Sequence, residues 1–138
     1  MFLFCPFDHI AGPKFLSIPK LGTFNVHLGK LPEYRGGLSA FWVLRRGDPE
    51  AGATVHKVTT ELDAGHIVSE VRVPVATQSM HELMLDTARA AGPVVAEALD
   101  RIRSGYVPIE KTGRQEGYYS LPTYADLRAF YARGCRLI

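Results

Sequence analysis

Cysteine is scarce in this sequence. Cys5 and Cys135 stand near opposite ends, and neither has a second cysteine at the spacing of a metal site. That argues against a disulfide framework and fits reduced thiols in a cytoplasmic setting. Long apolar runs are also missing, since none approaches the roughly 20 residues of a membrane span. The apolar start "MFLFCPFDH" has no basic leader and is broken by Pro6 and Asp8, so it reads as a strand and not as a signal peptide. Charge of one sign is lacking too. The formal net charge is +2, and the nearest basic cluster is Arg45-Arg46, so nothing points to nucleic acid or an anionic membrane.

Several catalytic signatures are absent as well. Arg35-Gly36-Gly37 lacks the spacing of either nucleotide-binding glycine fingerprint, and there is no Gly-x-Ser-x-Gly elbow. Nucleophilic hydrolysis by the usual constellations is thus left without support. His56 and His66 flank strands, and His81 sits on an exposed first helical turn. None has a cysteine or second histidine two to four residues on, so no metal is expected.

What the chain does have is the make-up of one globular domain: 138 residues, 46% hydrophobic and 22% charged. Met1–Cys5 reads as a strand buried on both faces, and Pro13 opens a short helix that stops before Pro19 and Gly22. A strand follows over Thr23–Leu28, then a helix in "GLSAFWVLRRGD" that Gly47 ends. "GATVHKVT" and "HIVSEVRVPV" are valine-rich strands separated by a turn at Asp63-Ala64-Gly65. In the long helix after Ser79, a Ser79/Glu82 capping box is expected. Leu83, Thr87, Ala91, Val94, Ala98 and Ile102 form its inward stripe, and Pro93 is expected to kink or split it. The last helix has Thr123 as N-cap and an apolar face of Leu127, Phe130 and Tyr131. The fold class is α/β.

The residues that can carry chemistry sit at the end of the second strand. Alternation puts Asn25 and His27 on one face, with Phe24 and Val26 on the other. An amide donor beside an imidazole can polarise a carbonyl and move a proton at the same carbon, given a carboxylate to orient the ring. Asp63, in its turn between two strands, is the best placed carboxylate. The same residues also fit a plainer description, two satisfied polar core residues and an ordinary turn aspartate. The loop between, Leu31-Pro32-Glu33-Tyr34-Arg35-Gly36-Gly37, is more specific than a connector needs.

Taken together, Asn25-x-His27, the Leu31–Gly36 loop, Gly52-Ala53-Thr54 and Leu62-Asp63-Ala64-Gly65 resemble the catalytic half of the folate-dependent formyltransferases over about residues 1–105. The resemblance implies a Rossmann-like formyltransferase fold, a mixed β-sheet with flanking helices that lacks the N-terminal βαβ half. It implies one catalytic domain over 1–138, with its core in 1–105 and a helical extension in 106–138. The co-substrate implied is 10-formyltetrahydrofolate, with no metal, and the partner a small-molecule primary amine. Asn25 would hold the formyl oxygen, His27 would take part in proton transfer, and Asp63 would orient His27. Phe7, Asp8, His9, Ile10 and Leu62 would line the pterin pocket. Leu31, Pro32, Tyr34, Arg35 and Gly36 would form the substrate loop.

Two departures from the family pattern qualify this. Leu28-Gly29-Lys30 after the histidine, and the "YYSLPTYADLRAFYARGCRLI" tail, look more like the aminosugar-modifying branch than the tRNA branch. The family's first nucleotide-fold strands are also missing, so Met1–Cys5 would present a sheet edge without its neighbour. A homo-oligomer, a second chain or the remainder of a longer protein would complete it. Amine formylation leads, 10-formyltetrahydrofolate hydrolysis by the same Asn-His-Asp set is the alternative, and a non-catalytic folate-binding or oligomerising domain is the third reading.

Overall fold

The structure, a computed structural model, describes residues 1–5, 12–109 and 116–138. Its strands are β1 (Phe2–Phe4), β2 (Thr23–His27), β3 (Arg35–Gly36), β4 (Glu50–Lys57), β5 (Ile67–Pro74) and β6 (Tyr118–Tyr119). Its helices are α1 (Pro13–Leu16), α2 (Ser39–Arg46), α3 (Met80–Arg103) and α4 (Tyr124–Ala132). Four strands form a mixed sheet in the order β1-β2-β4-β5. β1 runs parallel to β2, while β4 is antiparallel to both of its neighbours. β3 and β6 make a separate parallel pair. Among the described residues no helix is long and apolar enough to cross a membrane.

Alternation along β2 decides where the site can be. Phe24 and Val26 join Ala53, Val55 and Val68 in a core that α3 covers with Ala91, Val94, Ala98 and Ile102. Asn25 and His27 therefore face the opposite side of the sheet. A second core gathers Phe41, Val43 and Leu44 of α2 with Ala51, Leu83, Phe130 and Cys135. Removing a ring from it, as in Phe130→Ala, costs about 3–5 kcal/mol by the usual cavity argument.

Four expectations are corrected here. β1 is half-buried along its whole length and lies at the edge of the sheet, with Phe2 and Phe4 packed on Phe15 of α1 at 5.4 and 6.0 Å. It is not a strand buried on both faces. Pro93 does not split α3, which is one helix from Met80 to Arg103. Pro93 and Arg89 are both exposed, so water can serve the carbonyl that loses its partner while the inward stripe stays packed. Only half of the capping box forms. Ser79 Oγ accepts the Glu82 N–H at 3.1 Å, but the Glu82 carboxylate turns to the Thr77 hydroxyl and Arg136. Finally, Tyr131 is exposed and leaves Phe130 as the buried residue of α4.

Candidate active site

Three elements deliver the polar cluster. β2 supplies Asn25 and His27. β4 lies antiparallel beside it in a register that sets Asn25 opposite His56 and His27 opposite Thr54. Residues opposite each other in an antiparallel pair point to the same face, so His56 joins the site. The turn before β5 supplies Asp63, whose φ of +49° puts it in the left-handed region. Gly65 lets that turn press against the end of β4, since a Cβ there would overlap the Lys57 carbonyl. All four side chains are buried: Asn25, His27, His56 and Asp63.

Asp63 is the hub. Its Oδ2 lies 3.7 Å from His27 Nδ1 and accepts the Gly36 N–H at 2.9 Å, while its Oδ1 lies 3.4 Å from His56 Nε2. Burial works to raise the Asp63 pKa, but His56, His27 and the Gly36 N–H outweigh it and hold the carboxylate below its ordinary range. His27 Nε2 is 2.6 Å from the Tyr34 carbonyl, an acceptor only, so this nitrogen carries the hydrogen. Ser39 Oγ also reaches Nε2, at 3.4 Å. Nδ1 is then the atom that gains or loses a proton, toward Asp63. Burial is the largest influence on His27 and pulls its pKa below the ordinary value, against Asp63 and the Tyr34 carbonyl.

His56 Nδ1 lies 3.1 Å from the Lys57 carbonyl, and its Nε2 sits between Asp63 Oδ1, an acceptor at 3.4 Å, and Asn25 Nδ2, a donor at 3.5 Å. That one nitrogen serves Asp63 when it carries a hydrogen and Asn25 when it does not, so it cannot bond both at once. No local pattern in the sequence marks this histidine, because its pairing partner is 31 residues away.

The loop expected to meet substrate turns mostly inward. Leu31 and Pro32 are buried, and the Leu31 N–H donates to Thr54 Oγ1 at 3.3 Å. Tyr34 is buried and its hydroxyl donates to Asp48 Oδ2. Burial first, then Asp48, hold that hydroxyl's pKa well above the tyrosine range. Arg35 reaches the Leu62 carbonyl at 3.0 Å and Glu61 at 2.5 Å, and Leu62 keeps its side chain exposed. Phe7, Asp8, His9 and Ile10 lie outside the described residues. A small cleft lined by Glu33, Tyr34, Arg46, Asp48, Glu116, Gly117 and Tyr119 lies beside the Tyr34 hydroxyl, and the polar cluster does not line it. Among the described residues no group of His, Cys, Asp or Glu is arranged to hold a metal ion.

The arrangement unites an amide donor, an imidazole with one free nitrogen and a buried carboxylate, a set suited to acyl transfer. Known proteins have similar chains. The methionyl-tRNA formyltransferase of Phocaeicola vulgatus is 39% identical over 104 residues, covering 72% of this chain and 32% of that protein. The chain thus spans about a third of the length of the curated relatives it matches. The structure of WlaRD, a sugar 3N-formyl transferase, superposes with a TM-score of 0.76 at 20% identity, over 88% of this chain and 44% of that one. HypX from Aquifex aeolicus gives 0.78 at 19% identity, over 91% and 23%. These likenesses show the fold, and the model of the formyl transferase family matches residues 2–99. By that match, with the polar cluster falling wholly inside it, the chain belongs to the formyl transferase family.

Proposed function

We propose that this chain carries the reacting centre of an N-formyltransferase that moves a formyl group from 10-formyltetrahydrofolate to a primary amine. The reaction exchanges the bond between the formyl carbon and folate N10 for a bond to the amine nitrogen, and the amine's proton ends on N10. The Asn25 amide donates an N–H to the formyl oxygen as charge builds there. His27 Nδ1 holds the proton in transit. Asp63 stabilises the imidazolium so formed, and through the Gly36 N–H it is fixed to the loop. His56 packs against both Asn25 and Asp63 through its Nε2. The observation that carries this reading is the convergence of His27, His56 and the Gly36 N–H on one buried carboxylate next to Asn25.

The folate would be held by Phe7, Asp8, His9, Ile10 and Leu62. Leu62 fits, because its apolar side chain is exposed on the same turn that carries Asp63. WlaRD was solved with 5-N-formyl-THF, which is consistent with a folate donor. For the acceptor, Leu28-Gly29-Lys30 after His27 and the likeness to WlaRD favour an aminosugar nucleotide. The names of the sequence relatives favour the amine of a charged tRNA. The whole chain is incubated with 10-formyltetrahydrofolate and each amine in turn. Formyl product that depends on one amine identifies the acceptor, and formate released without any amine replaces transfer by hydrolysis.

A further inference from the structure

The segment Glu116–Ile138 lies outside the residues that the family model matches, yet it is built against the loop beside the site. The Arg35 N–H donates to the Gly117 carbonyl at 2.9 Å, the Gly37 N–H to the Tyr119 carbonyl at 3.0 Å, and the Gly117 N–H to the Pro32 carbonyl at 3.1 Å. The fit leaves no slack, since a Cβ on Gly36 would overlap the Tyr119 carbonyl and one on Gly117 the Glu33 carbonyl. The Tyr119 ring stacks on Tyr34 at 5.2 Å and 18°, and meets Trp42 at 5.0 Å. Its hydroxyl accepts from Arg46 at 2.6 Å, and Trp42 Nε1 donates to the Ser120 carbonyl at 3.1 Å. α4 then anchors the segment, with Phe130 stacked on Phe41 at 4.6 Å and Arg133 Nε donating to the Leu44 carbonyl at 3.2 Å.

The inner side of the same loop holds the site. Tyr34 offers its carbonyl to His27 Nε2, and Gly36 offers its N–H to Asp63. These are the two loop residues that Tyr119 backs, Tyr34 by its ring and Gly36 by its carbonyl. We propose that Tyr119 is a positioning residue for formyl transfer, clamping the loop from outside so that Tyr34 and Gly36 hold His27 and Asp63 in register. It acts through the loop and touches no reacting atom. The catalytic part of this inference rests on the function proposed above, while the clamp itself is a statement about His27 and Asp63 alone.

The test titrates the His27 imidazole by NMR in the full-length chain carrying Tyr119→Ala, Tyr119→Leu or Tyr119→Phe, with thermal melting alongside. The groups facing His27 are Asp63, His56, the Ser39 hydroxyl and the Tyr34 carbonyl. A loosened loop admits water to His27, which raises its midpoint, and withdraws the Tyr34 carbonyl and Asp63, which lowers it, so the clamp is read from a displaced midpoint of either sign. Tyr119→Ala and Tyr119→Leu should displace it by about half a pH unit or more, and Tyr119→Phe, which keeps the flat ring, should leave it in place. With turnover as a second readout, kcat should fall about tenfold in the first two variants while the KM for the formyl donor stays within about threefold. If Tyr119→Ala does not fold, Tyr119→Leu carries the test. A lowered melting temperature with an unmoved His27 midpoint would reduce Tyr119 to a packing residue and overturn the proposal. Because the midpoint is read without turnover, a chain that transfers no formyl group still tests the clamp.

Discussion

Asn25 and His56 occupy one rung of the β2–β4 ladder, and Asn25 Nδ2 lies 3.5 Å from His56 Nε2. The same Nε2 is 3.4 Å from Asp63 Oδ1, so a single ring atom touches two of the proposed catalytic groups. His56→Leu fills a similar volume but offers neither contact. Its kcat should fall about 10- to 100-fold with little change in KM for the amine, the pattern of a lost transition-state contact. His56→Gln, which restores a polar neighbour, should recover part of the loss. Steady-state kinetics of the two variants checks this.

Under the proposed function, the acid side of the rate profile belongs to His27. Its neutral Nδ1 must be free to take a proton, so kcat/KM should decline as pH falls through a midpoint below the ordinary 6.5. The Asp63 charge raises that midpoint. Asp63→Asn should therefore move the acid limb to still lower pH, besides slowing turnover about 100-fold or more. An acid limb that moved upward would contradict the assignment.

Stability carries the same signature. The folded pKa of His27 lies below its unfolded value, so the unfolded chain binds that proton first. This contribution is fully present above pH 6.5 and declines as pH drops below it. Asp63, also lowered, adds a second loss that begins near pH 3.8 and continues below. Melting temperatures measured from pH 8 to pH 5 should fall, and His27→Gln should flatten the curve across that interval.

Two glycine substitutions should act in opposite directions. Gly65→Ala drives a methyl into the Lys57 carbonyl and should cost about 1–3 kcal/mol, with turnover falling further because Asp63 rides on the same turn. Gly92→Ala, exposed on α3, meets nothing within 4 Å and should gain about 0.5–1 kcal/mol. Denaturant melts of both variants give the sign directly.

The parts of this molecule that were legible in the sequence are those governed by local periodicity. Alternation separated Asn25 and His27 from Phe24 and Val26, and the spacing of Leu83 through Ile102 matches the buried stripe of α3. His56 was not legible. Its place beside Asn25 depends on the β2–β4 register, and a bulge between Val55 and His56 then shifts the pairing with β5. β6 spans two residues, too few to show a period, and its partner Arg35 is more than 80 residues earlier in the chain. The bond from the Tyr34 hydroxyl to Asp48, 14 residues on, likewise follows no local period.

The central claim is that Asn25, His27 and Asp63 form one formyl-transfer centre. The most direct measurement follows the labelled formyl group of 10-formyltetrahydrofolate in the presence of an amine, with the wild-type chain and with His27→Ala. The account predicts amine-dependent formyl product from the wild type and a loss of about 1,000-fold in the variant. Equal product from both chains, or saturable folate binding with no product from either, would contradict it.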